Sequence, residues 1–181
     1  PTGKAWNQTN MTLSSTGWYE ATLPGQSNVV QIQFYVAGTD GQNLTSLYPP
    51  GGTNSRAYIK VENVLPVAKV PFLRILADPK ESQGLMPMTN LLSHDYLECT
   101  IILGEKEVIY GGGFRLHGSM HSRQTADNNS FSVRFPADHP YRGIRNSLIL
   151  RRRDLGEIVC RHMLANAPDV PGNYDDLAYL A

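Results

Sequence analysis

Short alternating runs between turn residues set the strongest limit on what the first third of this chain can fold into. In Val29–Ala37 the apolar residues 30, 32, 34 and 36 alternate with residues 31, 33 and 35, which is the period of a half-buried strand. Turn residues such as Pro24-Gly25 and Thr39-Asp40-Gly41 separate such runs, and no window has the period of an amphipathic helix. We therefore predict a small β-sandwich with strands at Met11–Leu13, Trp18–Leu23, Val29–Ala37 and Ala57–Val61.

This first unit, residues 1–65, is small for an independent core. We expect its large aromatic side chains to pack together: Trp6, Trp18, Phe34 and Tyr58. The pattern "GWYEATLPG" followed by "VQIQFYVAGTDGQN" resembles the immunoglobulin-like or fibronectin-III-like modules of bacterial surface and secreted proteins. Since the chain starts at Pro1, we expect it to be an excised or processed piece of a longer protein.

Charge is distributed unevenly along the chain. The 181 residues carry 16 basic and 16 acidic side chains, with only three of each sign before residue 66. This balance argues against a basic coat for nucleic acid, and no apolar run approaches the roughly 20 residues that a membrane-spanning helix needs. The segment Glu62–Pro71, "ENVLPVAKVP", has two prolines and little periodicity, so we predict a linker there and a second domain over residues 66–181.

The second domain is expected to combine an antiparallel sheet with one main helix. A short helix should start at the N-cap Asp78 with Pro79 at its first position and end at Gly84. Gly104-Glu105-Lys106 joins two β-rich runs as a hairpin. The remaining predicted elements are a strand at 71–76, a strand at 130–135, a helix from Asp154 to about Ala165 and a strand at 174–181. The order predicts an α+β domain.

Hydrogen-bond donors are concentrated directly after the three glycines Gly111–Gly113. Arg115, His117, Ser119, His121, Ser122 and Arg123 follow within a few residues, and such donors suit an anion, most directly phosphate. Neither the phosphate-loop spacing nor the dinucleotide fingerprint is present. The alternative is a glycine bulge followed by a polar loop.

Other residues of the sequence bear on metal binding, nucleic-acid binding and disulfide formation. His117 and His121 are four residues apart, but Gly118 and Ser119 interrupt any helix between them and no glutamate completes a zinc motif, so no metal site is predicted. The run of arginines at 142, 145 and 151–153 is followed at once by Asp154, which favours a solvated, ion-paired surface over nucleic-acid binding. Cys99 and Cys160 form either one disulfide or two buried thiols.

Beyond about residue 70 the chain resembles the amino-terminal part of the spore-coat CotH kinase family. The resemblance lies in "FLRILADPKESQGL", "LECTIILGEKEVIYGGGFRLHGSMHSR", "SFSVRF" and "YRGIRNSLILRRRD". It implies a kinase-like lobe of a secreted or cell-surface protein that uses ATP and Mg²⁺ to phosphorylate Ser or Thr of a protein substrate. The residues that fall on the family signature are Arg115, His117, Gly118, Ser119, Ser122 and Arg123, and Arg134 falls on the strand that follows.

The chain departs from the family pattern at two places. Asn128 and Asn129 stand where the family carries paired lysines, so Arg134 is the substitute cation. The acidic residues that hold metal in the family belong to a carboxy-terminal half that is expected after residue 181. Catalytic residues therefore stay unassigned.

Glu157 is either the helix glutamate that pairs with a nucleotide-binding cation or a capping residue. The nucleotide- or phosphate-binding candidates are Arg115, His117, Ser119, Ser122, Arg123, Arg134 and Glu157. Two functions remain open: part of a CotH-like kinase that is inactive alone, or a non-catalytic structural or interaction module in a coat, surface layer or particle assembly. The expected partners are a protein and the carboxy-terminal half.

Overall fold

The computed structural model describes residues 5–64, 72–85, 92–119, 123, 129–151, 159–160, 162–164, 166–167 and 179–180. Six short strands lie before residue 65 and pair as three separate antiparallel two-stranded sheets. Strand β1 (Thr12–Leu13) pairs with β2 (Tyr19–Glu20), β3 (Val30–Gln33) with β6 (Tyr58–Val61), and β4 (Val36–Thr39) with β5 (Thr45–Tyr48). A 3₁₀ turn covers Gly52–Asn54. The β-strands that the sequence predicts are therefore present, but they form two-stranded sheets, which are smaller than the two sheets of a β-sandwich.

A larger sheet follows, and it is curled into half a barrel. Its strands are β7 (Phe72–Leu76), β8 (Leu97–Leu103), β9 (Glu107–His117), β10 (Ser130–Arg134), β11 (Ser147–Leu150) and β12 (Tyr179–Leu180). The order is β11-β10-β9-β8-β7-β12, with neighbouring strands antiparallel except for β12, which pairs parallel to β7. The antiparallel-sheet part of the prediction is confirmed.

The prediction of an α+β kinase-like lobe is wrong, because the described residues are mostly strand. The one α-helix with both ends described, α1, spans only Pro79–Gln83. Residues 159–160 and 162–164 are also helical, but Val159, Met163 and Leu164 are about half exposed or more instead of packing on the sheet. Glu157 and the predicted helix start at Asp154 lie outside the described residues.

The strands of the large sheet supply most of the core. Alternation places the apolar residues of β8, β9 and β10 on one face, and the curled sheet packs these side chains against one another. The buried cluster consists of Leu73, Leu85, Cys99, Ile101, Ile109, Phe114, Leu116, Val133 and Phe135. Burial of these side chains on one face leaves the other face for polar residues.

Two local predictions in this sheet are confirmed. The carboxylate of Asp78 accepts hydrogen bonds from the backbone N–H groups of Lys80 and Glu81, Pro79 is the first residue of α1, and Gly84 caps its end. The hairpin between β8 and β9 turns through Gly104 and Glu105, whose φ angles are 57° and 56°. Both angles lie in the left-handed region that two-residue hairpin turns use.

The glycine run forms a β-bulge inside β9, as the second interpretation of the sequence predicts. Cys99 of β8 lies opposite Gly112, whereas Ile101, two residues on, lies opposite Ile109. β9 therefore carries one extra residue at this point. Gly111 has a φ of 71°, which a residue with a side chain adopts at a cost.

The amino-terminal strands pack on the outer face of the large sheet, the face opposite its core. The Thr100 hydroxyl accepts a hydrogen bond from the Tyr58 backbone N–H and donates one to the Arg56 carbonyl. Arg74 of β7 forms ion pairs with Glu62 and Glu105. The Phe34 and Tyr48 rings both contact the ring of Tyr110, with centroids 5.2 and 6.2 Å away.

These contacts explain two wrong predictions about the first unit. The predicted strand Val29–Ala37 is divided into β3 and β4, because Phe34 turns to Tyr110 of the large sheet and its backbone N–H bonds to the Ala57 carbonyl. The four aromatic residues do not share one core: Trp6 contacts Tyr35, and Trp18 is 74% exposed. Residues 65–71, where the domain boundary was predicted, lie outside the described residues.

Among the described residues, no helix has both the length and the apolar character that crossing a membrane requires.

Candidate functional site

Polar side chains from β9, β10 and the residue before β8 meet on the outer face of the large sheet. Arg115 of β9 lies opposite Ser132 of β10, and Gly113 lies opposite Arg134. Tyr96 directly precedes β8 and reaches across this area. We call Tyr96, Arg115, Ser132 and Arg134 the Tyr96 cluster.

Tyr96 is the centre of the cluster. The guanidinium carbons of Arg115 and Arg134 lie 5.1 and 4.7 Å from the centroid of its ring, and its hydroxyl is hydrogen-bonded to the Ser132 hydroxyl at 2.9 Å. Cations over a tyrosine ring are attracted by its electron-rich face. The guanidinium groups of two residues from different strands thus both contact the Tyr96 ring.

Gly113 makes room for this arrangement. A Cβ atom at Gly113 would lie 3.1 Å from the Tyr96 Cβ and 3.3 Å from the nearest ring carbon. These contacts are closer than ordinary van der Waals separations, so a side chain here would push Tyr96 away from β9. One glycine of the sequence cluster therefore serves the site through its missing side chain.

The electrostatic environment of the cluster is positive. Burial acts to raise the pKa of Tyr96, but hydrogen bonds to Ser132 and Arg115 and the charges of Arg115 and Arg134 outweigh it, so the pKa is lowered. Burial, together with the charges of Arg151, Arg115 and Arg123, lowers the pKa of His117. His117 therefore favours the neutral form and leaves the positive charge on the arginines.

The two arginines of the cluster keep donors available. Arg115 Nη1 lies 3.1 Å from His94 Nδ1 and 3.3 Å from the Leu116 carbonyl oxygen, while its Nε is buried without a hydrogen-bond partner. Arg134 is exposed. Within the part of the chain that the structure describes, neither arginine forms an ion pair with a carboxylate.

Other predicted site residues lie away from the Tyr96 cluster or outside the described residues. Arg123 is only 3% exposed, and its Nη1 donates to the Ser93 carbonyl oxygen, which ties residue 123 to the segment before Tyr96. Burial and the charge of Arg115 lower its pKa. Ser119 is exposed at the end of β9, and its carbonyl accepts from the Arg123 backbone N–H. Ser122 and Glu157 lie outside the described residues.

Sequence reasoning missed Tyr96, Ser132 and His94 as parts of the site. Ser132 alternates with Arg134 along one strand, so the period of two places both on one face and could have indicated it. Tyr96 stands 19 residues or more from its cluster partners in sequence, and no local pattern marks it.

The structure also bears on metal and thiol chemistry. No group of three or more His, Cys, Asp or Glu side chains that could hold a metal ion lies among the described residues. Both cysteines are free thiols, so the disulfide is not formed. Of the two thiols expected to be buried, Cys99 is buried but Cys160 is exposed. Burial is the main cause that raises the pKa of Cys99, to about 12.

In the arginine run, the Arg142 guanidinium carbon lies 5.1 Å from the centroid of the Tyr141 ring, outside the Tyr96 cluster. Arg152 and Arg153 lie outside the described residues.

Neither the protein-family models, nor the curated proteins, nor the solved structures contain a match to this chain.

Proposed function

We propose that this chain binds the phosphates of a nucleotide on the Tyr96 cluster, as part of a secreted or cell-surface protein of the CotH type. One observation carries the proposal. Arg115 and Arg134 start from two strands, and their guanidinium groups converge on the same tyrosine ring. Both fall on the sequence motifs by which the chain resembles that family.

The chemistry of the cluster fits phosphate. A guanidinium group presents a planar fork of N–H donors that matches phosphate oxygens, and contact with Tyr96 restricts the orientation of each fork. The hydroxyl of Tyr96, a partly buried residue, bonds to Ser132 at the same place. Two cations without a carboxylate partner in the described part of the chain leave positive charge for an anionic ligand.

The assignment of parts follows from this chemistry. When ATP is bound with Mg²⁺, it supplies the phosphoryl group that is transferred in the CotH-like reaction. The residues of this chain hold and orient the phosphates through Arg115 and Arg134. The carboxylates for the metal and for the acceptor hydroxyl would belong to the carboxy-terminal half that the resemblance implies, and a Ser- or Thr-containing protein would be the acceptor.

Calorimetric titration of ATP into the chain, with and without Mg²⁺, tests the proposal. We expect Arg134→Gln to weaken ATP binding about tenfold, in line with the loss of one charge-assisted contact. Arg142→Gln is the matched control, because Arg142 also lies over a tyrosine ring but outside the cluster, and it should leave affinity within about twofold. Absence of ATP binding, or equal losses in the two variants, would contradict the proposal.

A second candidate function is a non-catalytic interaction module in a coat, surface layer or particle assembly. The observation that favours it is Asn129, which stands where a family lysine is expected and is only 2% exposed, so this position places no cation on the surface. The full-length natural protein separates the two functions. Transfer of labelled phosphate from ATP to a serine-rich protein would remove the second candidate, whereas ATP binding without transfer would favour it.

A further inference from the structure

We infer that Glu98 tunes the charge of the Tyr96 cluster, and that the amino-terminal strands control Glu98. This inference rests on the proposed phosphate-binding function and adds a means of regulation to it. Glu98 of β8 lies opposite Gly113 of β9, and Arg134 of β10 lies opposite the same glycine from the other side. Glu98 and Arg134 therefore lie in one row across three strands, on the same face of the sheet.

Gly113 places no side chain of its own between these two residues, and the side chain that packs on it there is that of Tyr96. Neighbouring strands are about 4.8 Å apart, so the backbones of Glu98 and Arg134 are separated by roughly 10 Å. The Arg134 side chain already extends back over Gly113 to the ring of Tyr96, which is two residues before Glu98 on the same face. A glutamate and an arginine can span the remaining distance and form an ion pair.

The structure shows the Glu98 carboxylate held elsewhere. Its Oε1 accepts a 3.0 Å hydrogen bond from the backbone N–H of Arg56 in the amino-terminal unit. That backbone is itself fixed, because the Arg56 carbonyl accepts from the Thr100 hydroxyl and the Arg56 side chain pairs with Glu81. The amino-terminal unit thus holds one oxygen of the Glu98 carboxylate, and no ion pair joins Glu98 to Arg134 among the described residues.

The consequence is a link between the packing of the amino-terminal strands and the strength of the anion site. While the Arg56 N–H holds Glu98, Arg134 keeps its charge for a ligand. Release of Glu98 allows it to pair with Arg134 and to compete with the phosphates. Any event that loosens residues 56–58 from Thr100 would then weaken phosphate binding.

The test removes the N–H that holds Glu98. Arg56→Pro lacks this donor, and Arg56→Ala is the matched control because it loses the ion pair to Glu81 but keeps the N–H. We expect Arg56→Pro to weaken ATP binding about tenfold, Arg56→Ala to change it less than about twofold, and Arg56→Pro combined with Glu98→Gln to return it to within about twofold of Glu98→Gln alone. An equal loss in the presence and absence of Glu98→Gln, or no loss at all, would overturn the inference.

A readout without ligand separates this inference from the proposed function. The Nε–Hε signal of Arg134 in NMR spectra should shift on Arg56→Pro and return on addition of Glu98→Gln, whether or not ATP binds. Failure of the unaltered chain to bind ATP contradicts the proposed function alone, whereas an unmoved Arg134 signal contradicts control by Glu98. If Arg56→Pro does not fold, Thr100→Val loosens the same segment and should move the signal in the same direction.

Discussion

The hydroxyl of Thr100 accepts a 2.8 Å hydrogen bond from the backbone N–H of Tyr58, and it donates a 2.9 Å bond to the carbonyl of Arg56. A single oxygen in the large sheet thereby satisfies two backbone groups of the amino-terminal unit. Thr100 is 0% exposed, so water cannot replace either bond if the hydroxyl is lost.

Removal of this hydroxyl should destabilise the fold. We expect Thr100→Val to lower the free energy of unfolding by about 2–4 kcal/mol, because it leaves a buried donor and a buried acceptor unsatisfied. Thr100→Ser keeps the hydroxyl and should lose only about 1 kcal/mol for the missing methyl group. Urea unfolding followed by circular dichroism measures both changes. Equal losses in the two variants would show that the hydroxyl bonds contribute little.

Gly113 should be sensitive to the smallest side chain. Gly113→Ala would place a methyl group 3.1 Å from the Tyr96 Cβ, so we expect a loss of about 1–2 kcal/mol in stability and a severalfold weaker affinity for ATP. Gly38→Ala is the control, since Gly38 lies in strand β4 and a Cβ there meets nothing within 4 Å. Thermal unfolding measures the stability, and calorimetric titration measures the affinity for ATP. If Gly113→Ala changed neither, Tyr96 would not depend on the space that Gly113 leaves.

The ion pairs of Glu62 predict a dependence of stability on pH. The pKa of Glu62 is held below its ordinary value of 4.5, mainly by the hydrogen bond from the Lys60 ammonium. Arg74 lowers the pKa further, and both effects outweigh partial burial. Because the folded pKa is lower than the unfolded one, the stabilisation by Glu62 is present above about pH 4.5 and is lost as the pH falls through the folded pKa.

Comparison with Glu62→Gln tests this sign. The difference in unfolding free energy between the unaltered chain and Glu62→Gln should be constant near neutral pH and should shrink as the pH drops below 4.5. Glu20→Gln, in an exposed strand, serves as the control for a general effect of charge. A difference that grows toward acid would reverse the assigned direction.

The two thiols should react at very different rates. Cys99 is 0% exposed and burial raises its pKa to about 12, whereas Cys160 is exposed. Since the thiolate is the reactive form, we expect one thiol per native chain to react quickly with a disulfide reagent and two after denaturation. Cys160→Ser should abolish the fast reaction, and Cys99→Ser should retain it. A fast reaction that survives Cys160→Ser would contradict the burial of Cys99.

Local features of this fold were predictable from the sequence, and long-range ones were not. Asp78, Pro79 and Gly84 determine the ends of α1 through contacts within one helical turn, and Gly104 allows the hairpin through its own φ angle. The break between β3 and β4 depends instead on Tyr110, which is 76 residues away from Phe34. No local pattern carries that information.

The candidate site shows the same division. The donor-rich segment after the glycines predicts Arg115, the family resemblance adds Arg134, and the structure brings both to one ring. The same donor-rich segment predicts Arg123, but it is buried against the Ser93 carbonyl. The residue types in the sequence are enough to identify the candidate cations. The role of each cation depends on the strand register, because the register determines its face of the sheet and its neighbours.

The extra residue in β9 lets one strand take part in two different surfaces. Tyr110 has an even number and contacts the amino-terminal aromatic residues, while Gly113 and Arg115 have odd numbers and face the Tyr96 cluster, yet all three lie on the same side. Only an inserted residue between them can reconcile these numbers with an alternating strand. A regular strand that kept Gly111 but lacked the bulge would therefore force a choice: either Tyr110 or Arg115 would be turned into the apolar interior, and the protein would lose its docked first unit or its cationic surface.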